Sequence, residues 1–135
     1  MLVKNIVLCI LLLSTLIFSV RTLYVIVKIG KFSPSKILMM IWAYASITLG
    51  FAVIYMYLPI SNFSIDTDIS YFNVLDEVVY WFYYSLLILV NTDVAGITPV
   101  STLSKIIVIF EILVKILFGF LLINTFVARK EKMEN

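Results

Sequence analysis

Four long apolar stretches divide the chain, and the polar residues between them mark its turns. The first runs from Asn5 to about Val27 and is interrupted only by Arg21. The second covers Ile37 to Pro59, the third lies between Glu77 and Asp93, and the fourth covers Ile106 to Ala128. A helix needs about 20 apolar residues to cross a bilayer, and the first, second and fourth stretches meet that length. Arg21 is placed to snorkel towards one membrane face. The third stretch holds only 15 uncharged residues, VVYWFYYSLLILVNT. As a helix they reach roughly 22 Å, short of the roughly 30 Å hydrocarbon core. Such a segment enters a membrane without crossing it and returns as irregular chain. Irregular backbone is tolerated at membrane depth only where protein surrounds it or where it lines water. One chain with three spans cannot enclose it, so the pattern calls for several copies.

The connectors set the organisation. KIGKFSPSK, with Gly30 and Pro34, is a turn signal, and SNFSIDTDISYFN reads as a loop. The predicted fold class is an all-α membrane protein: residues 1–36 form an N-terminal transmembrane helix and a cytoplasmic turn, and residues 37–128 form one pore-like unit. Within that unit the expected parts are an outer helix over 37–59, an extracellular loop over 60–75, a short re-entrant helix over 76–90, a loop over 91–100 and an inner helix over 102–128. Asp76 and Glu77 stand where negative side chains favour a helix N-terminus. RKEKMEN, residues 129–135, closes the chain as a solvated, frayed cytoplasmic tail. The first stretch has two rival readings. Lys4 before the apolar core Ile6–Val20 suits a signal peptide, although the core ends in FSVRT without a small-x-small cleavage site. Alternatively the span ends near Val20 and RTLYVIVK lies along the interface.

Composition sharpens the class. Of 135 residues 63% are hydrophobic and 13% charged, with a mean hydropathy of +1.13; soluble domains carry about 25% charge. The net charge of +2 is too small to suggest a nucleic-acid partner. With no His and one cysteine, Cys9, an intrachain disulfide is impossible and a Cys/His metal site is not expected. Cys9 reads as a small apolar residue, and bulky Leu8 before it argues against a lipid-anchor cysteine. Without His, a nucleophile–base pair or a phosphate-binding glycine loop, no enzyme and no cofactor are expected. Lys28, Lys31 and Lys36 flank one turn and Arg129, Lys130 and Lys132 the end, whereas the charges between Lys36 and Lys105 are all acidic. The positive-inside rule then places both basic clusters in the cytoplasm and the N-terminus outside, against the single vote of Lys4.

Residues 82–121, FYYSLLILVNTDVAGITPVSTLSKIIVIFEILVKILFGFL, resemble the pore domain of the tetrameric potassium-channel superfamily. Tyr83, Tyr84 and Ser85 match the aromatic pair and Ser of that family's pore helix. Asn91 stands six residues past the Ser, where the family has the first Thr of its T-V-G-Y-G-D filter. Pro99 matches the family's proline eight residues later, and Ser104 and Lys105 match the opening of its inner helix. The resemblance implies a homotetramer in the plasma membrane, with Asn91, Thr92, Asp93, Val94, Ala95 and Gly96 as the ion filter. Permeating K⁺, Na⁺ or Ca²⁺ would be its only inorganic partners, with lipid around it.

The filter departs from the family's pattern. Its glycines, which allow left-handed backbone, are replaced by Asp93 and Ala95, and its bracing Tyr by Val94. The carbonyl cage of the family is therefore not expected to form in the usual way, and potassium selectivity is not implied. A ring of Asn91, Thr92 and Asp93 side chains would instead favour cations, helped by the negative C-terminal end of the pore helix. Asp93 either faces the axis or turns behind the loop. Lys115, where the family has a hinge glycine, costs roughly 2.5–3.5 kcal/mol in mid-membrane and needs a partner. Glu111, one turn earlier, with Asp93, Tyr83 and Tyr84, would support the filter from behind. The rival placement puts Lys115 into the cavity, blocking cations or admitting anions. Ile116, Gly119, Phe120, Ile123, Asn124 and Val127 are the candidate cavity or gate residues. Asp66, Asp68, Asp76 and Glu77 either concentrate cations at the mouth or serve as ordinary loop and helix-start charges. The expected function is a cation channel not potassium-selective in the usual way; the alternative is a non-conducting structural or regulatory membrane protein of the same fold.

Overall fold

The computed structural model describes residues 2–28, 34–88 and 96–134. The elements run α1 (Leu2–Lys28), α2 (Pro34–Tyr57), a 3-10 turn (Ile60–Asn62), β1 (Phe63–Ile65), α3 (Val74–Leu87), β2 (Ile97–Pro99) and α4 (Thr102–Glu134). The chain is mostly helical, and the stretches Ser35–Tyr57 and Thr102–Asn124 are long and apolar enough to cross a membrane. Large apolar side chains cover their outer surfaces, Trp42, Ile41, Leu113 and Phe120 among them. Soluble proteins rarely present patches of that extent to water. Fold and surface fit an all-α membrane protein.

The helix ends follow local chemistry and shift several predicted boundaries. α2 begins at Pro34 rather than Ile37, because proline suits the first helical position, where its missing N–H costs nothing. It stops at Tyr57 because Leu58 precedes Pro59 and is pushed out of the helical region. α3 begins at Val74 rather than Asp76: Asn73 caps it, its side chain accepting from Asp76 N at 2.9 Å while the Asp76 carboxylate accepts from Asn73 N at 3.3 Å. Ser101 caps α4 with its side chain alone, Oγ accepting from Ser104 N at 3.1 Å. α4 does not end at Ala128. The predicted frayed tail is helical to Glu134, since RKEKME contains good helix formers with neither glycine nor proline, and cations near a helix C-terminus are favourable. α1 is one helix through Arg21 to Lys28, so RTLYVIVK continues it rather than starting a separate segment.

The loop over 60–75 and the return at 97–99 hold structure that hydropathy did not reveal. β1 and β2 pair antiparallel, Phe63 opposite Pro99, Ser64 opposite Thr98 and Ile65 opposite Ile97. Below that pair, Asn62 O accepts from Val100 N at 2.9 Å, from Ser101 N at 3.3 Å and from Ser104 Oγ at 2.9 Å. The C-terminal end of α2 and the N-terminal end of α4 are therefore tied at one level.

From there α2 and α4 run antiparallel. Tyr55 meets Glu111, Phe51 meets Phe110 at 6.2 Å between ring centroids, and Tyr44 meets Phe118 at 6.0 Å. α3 starts near the same level and descends between them. Trp81 and Tyr84 pack on Tyr55 at 5.8 and 5.3 Å, and Ser85 reaches the carbonyl of Thr48. Tyr55, Phe63, Trp81 and Tyr84 form one aromatic knot, each ring touching the other three within 6.3 Å. Aromatic pairs add about 0.5–1.5 kcal/mol each beyond the area they bury. The knot locks β1 and α3 to the end of α2.

Candidate functional site

The depth reached by α3 follows from two neighbours. Ser85 contacts Thr48, nine residues before Tyr57, and Glu111, nine residues after Thr102. Nine helical residues rise about 14 Å, so both neighbours put Ser85 about 14 Å along the helices from the tied ends, about half the roughly 30 Å that a bilayer-crossing helix must span. The chain must then regain the level of β2 between Ile88 and Gly96. The eight residue steps suffice, since extended chain covers up to about 3.3 Å per residue.

At that depth lies a buried polar cluster drawn from three helices. Glu111 is 0% and Lys115 2% exposed. Lys115 Nζ donates to Glu111 Oε1 at 2.5 Å, to Ser85 Oγ at 3.2 Å and to the main-chain carbonyl of Ser85. Its ammonium also lies 5.7 Å from the centroid of the Tyr44 ring, a cation–π contact. Tyr55 Oη donates to Glu111 Oε2 and Ser85 Oγ to Glu111 Oε1, with Thr48 O a second acceptor for Ser85 at 3.1 Å. Every charge is thus paired and hydrogen-bonded, the condition for burying an ion pair at all. Within the protomer Lys115 is turned inward, towards α2 and α3.

The expected Glu111–Lys115 partnership is present. Asp93, its third proposed member, lies outside the described residues, as do Asn91, Thr92, Val94 and Ala95. Ser85, Tyr55, Thr48 and Tyr44 complete the cluster and were not read from the sequence as partners. The Glu–Lys spacing of four is a local signal; that Tyr55, 56 residues away from Glu111, supplies a donor is not. Tyr84 is fully buried in the aromatic knot, whereas Tyr83 lies half exposed on the far side of α3.

Gly96 has a left-handed backbone, φ +68°. A Cβ there would stand 3.0 Å from Asp66 Cβ and 3.1 Å from Asp66 Oδ2, and Asp66 N donates to Gly96 O at 3.0 Å. Both the turn and the close approach require glycine. Two further acidic residues have local roles. Asp68 Oδ1 accepts from Ser70 N at 2.9 Å, and Ser70's hydrogen bonds hold the Asp68 carboxyl below its ordinary pKa. Asp76 belongs to the capping box of α3.

On α4 the candidate cavity and gate side chains face away from the protomer. Ile106, Ile109, Leu113, Ile116, Phe120, Ile123 and Val127 are all exposed and follow alternating steps of three and four residues. Asn124 is exposed beside them and Gly119 half-buried, with open space where a methyl group on Gly119 would stand. Ser104, Ile107, Val108, Glu111, Lys115 and Phe118 fill the opposite, buried face. α4 therefore has one face committed to its own chain and a second, continuous apolar face without a partner among the described residues.

The fold and site together fit the all-α membrane class. No protein-family model, curated protein or solved structure matches the chain.

Proposed function

We propose that the chain is one subunit of a pore-loop cation channel, four copies surrounding an aqueous axis in the plasma membrane, with the C-terminus in the cytoplasm and the N-terminus outside. The observation that carries this reading is the half-depth descent of α3 between α2 and α4, with the chain back at its starting level by β2. A polar return segment at that depth is stable only around water or inside protein, and several copies supply both. The resemblance of residues 82–121 to the potassium-channel pore domain agrees with this arrangement.

In this reading the segment holding Asn91, Thr92 and Asp93 presents oxygen atoms to permeating cations, for which carboxylate and carbonyl groups are suitable ligands. The absent T-V-G-Y-G-D pattern argues for conduction of Na⁺ or Ca²⁺ alongside K⁺. The inward pairing of Lys115 favours cation conduction over a cation-blocked or anion-conducting pore, because its charge is matched by Glu111 rather than offered to the axis. The apolar face of α4 suits contact with other copies and a constriction that closes by dewetting.

The test is reconstitution of the purified chain in planar bilayers under cation gradients. Currents that reverse near the cation equilibrium potentials, with divalent permeation or block weakened by Asp93→Asn, support the proposal. Silent bilayers from a protein whose mass in detergent is that of one protomer overturn it.

A further inference from the structure

α3 ends at Leu87, with Ile88 as its cap. The last four carbonyls of a helix have no partner within it, and Ser85, Leu86, Leu87 and Ile88 supply those four. They also carry the negative end of the helix dipole, equivalent to about half an elementary charge. Ser85 is 0% exposed, so its carbonyl is shut off from water and would be costly to leave unsatisfied. Lys115 Nζ donates to that carbonyl, while its charge is balanced by Glu111. Glu111 is in turn drawn towards α2 by the hydroxyl of Tyr55.

We propose that Lys115 is a cap in trans for the C-terminal end of α3: it satisfies the Ser85 carbonyl, offsets the negative helix end, and fastens α3 to α4 at mid-depth. Two consequences follow. The end of α3 is not a free source of negative potential, so within the channel reading attraction of cations falls to the carboxylates of the loop and mouth. Movement of α4 at Lys115 also pulls on the last turn of α3. Lys115 is in this sense a positioning residue. An ion pair that merely neutralised two buried charges would need no contact with the main chain of another helix, yet the Ser85 carbonyl is an acceptor that no side-chain substitution at Ser85 removes.

The experiment compares the wild-type full chain in nanodiscs with Lys115→Met, Lys115→Arg, Ser85→Ala and the paired Glu111→Gln/Lys115→Met variant. Hydrogen exchange is read in the last turn of α3 against its middle, around Trp81. The paired variant leaves no uncompensated charge and so keeps the test open if Lys115→Met alone misfolds. The expected result is at least tenfold faster exchange in the last turn for the paired variant, with the middle of α3 changed less than threefold. Slow exchange is retained in Lys115→Arg and in Ser85→Ala. Wild-type exchange in the last turn of the paired variant overturns the cap, as does equal acceleration along all of α3. The first consequence rests on the proposed channel and is read separately: the paired variant, with the helix end exposed, is expected to raise cation conductance at low salt about twofold. If bilayers are silent for every variant the channel reading fails while the exchange result still decides the cap.

Discussion

Substituting Gly96 with alanine tests how the chain returns to the level of β2. The change adds one methyl group where the backbone is left-handed, at φ +68°. For a residue with a Cβ that conformation costs about 1–2 kcal/mol. The new Cβ would also lie 3.0 Å from Asp66 Cβ and 3.1 Å from its Oδ2, so Asp66 must move. Asp66 N donates to Gly96 O at 3.0 Å, a bond with a net contribution of about 0.5–1.5 kcal/mol, and moving Asp66 weakens it. Together these effects give a loss of about 1.5–3.5 kcal/mol. The assay is reversible unfolding in mixed micelles followed by far-ultraviolet circular dichroism. A second arm combines Gly96→Ala with Asp66→Gly, which removes the colliding Cβ and keeps the N–H. A double-mutant cycle isolates the steric part: the pair should show favourable coupling, leaving about 1–2 kcal/mol for backbone conformation alone. A loss below about 0.5 kcal/mol for Gly96→Ala would refute the reasoning, since surface changes away from special features commonly fall in that range. So would a cycle with no coupling.

Three further outcomes are expected. Tyr55→Phe removes the hydroxyl that donates to buried Glu111 and should destabilise by about 1.5–3 kcal/mol, the range for hydrogen bonds to charged groups, as measured by the same unfolding assay; a neutral result would mean that the carboxylate is satisfied without Tyr55. In a Cys9→Ala background, Ile116→Cys on the exposed face of α4 should form intermolecular disulfides under mild oxidation while Phe118→Cys on the buried face should not; equal yields would count against α4 as a subunit contact. Asp68 should titrate below its ordinary 3.8 by NMR, because the folded carboxylate is hydrogen-bonded by Ser70. Its folded pKa being the lower one, its contribution to stability is complete above the unfolded value and is lost as pH falls through the folded one; Ser70→Ala should move the midpoint upwards.

The parts legible in the sequence are those that local rules control. Apolar runs longer than a bilayer announce α2 and α4, a run of 15 residues announces a helix too short to cross, and Asp76 with Glu77 announces its first turn. Glu111 and Lys115 are one helical turn apart, so their pairing also lies within reach of a local rule. The missed features depend on contacts between distant segments. β1 and β2 are three residues each, too short for alternation to stand out from loop sequence. The continued helix beyond Ala128 was hidden by its charge, because hydropathy tracks the membrane and not the helix, and Arg, Lys and Glu are good helix formers.

Sequence alone determined that this chain carries stretches long and apolar enough to cross a membrane, since 63% of its residues are hydrophobic and 13% charged. It also determined that Lys115 must find a partner, since an unpaired ammonium at that depth is too costly to leave. Only the tertiary structure decided which atoms satisfy it. The carbonyl of Ser85, the hydroxyl of Tyr55 that steadies Glu111 and the ring of Tyr44 come from two other helices, and their arrival depends on how deep α3 descends. That depth is set by the aromatic knot and the β1–β2 tie, contacts between segments tens of residues apart that no periodicity encodes.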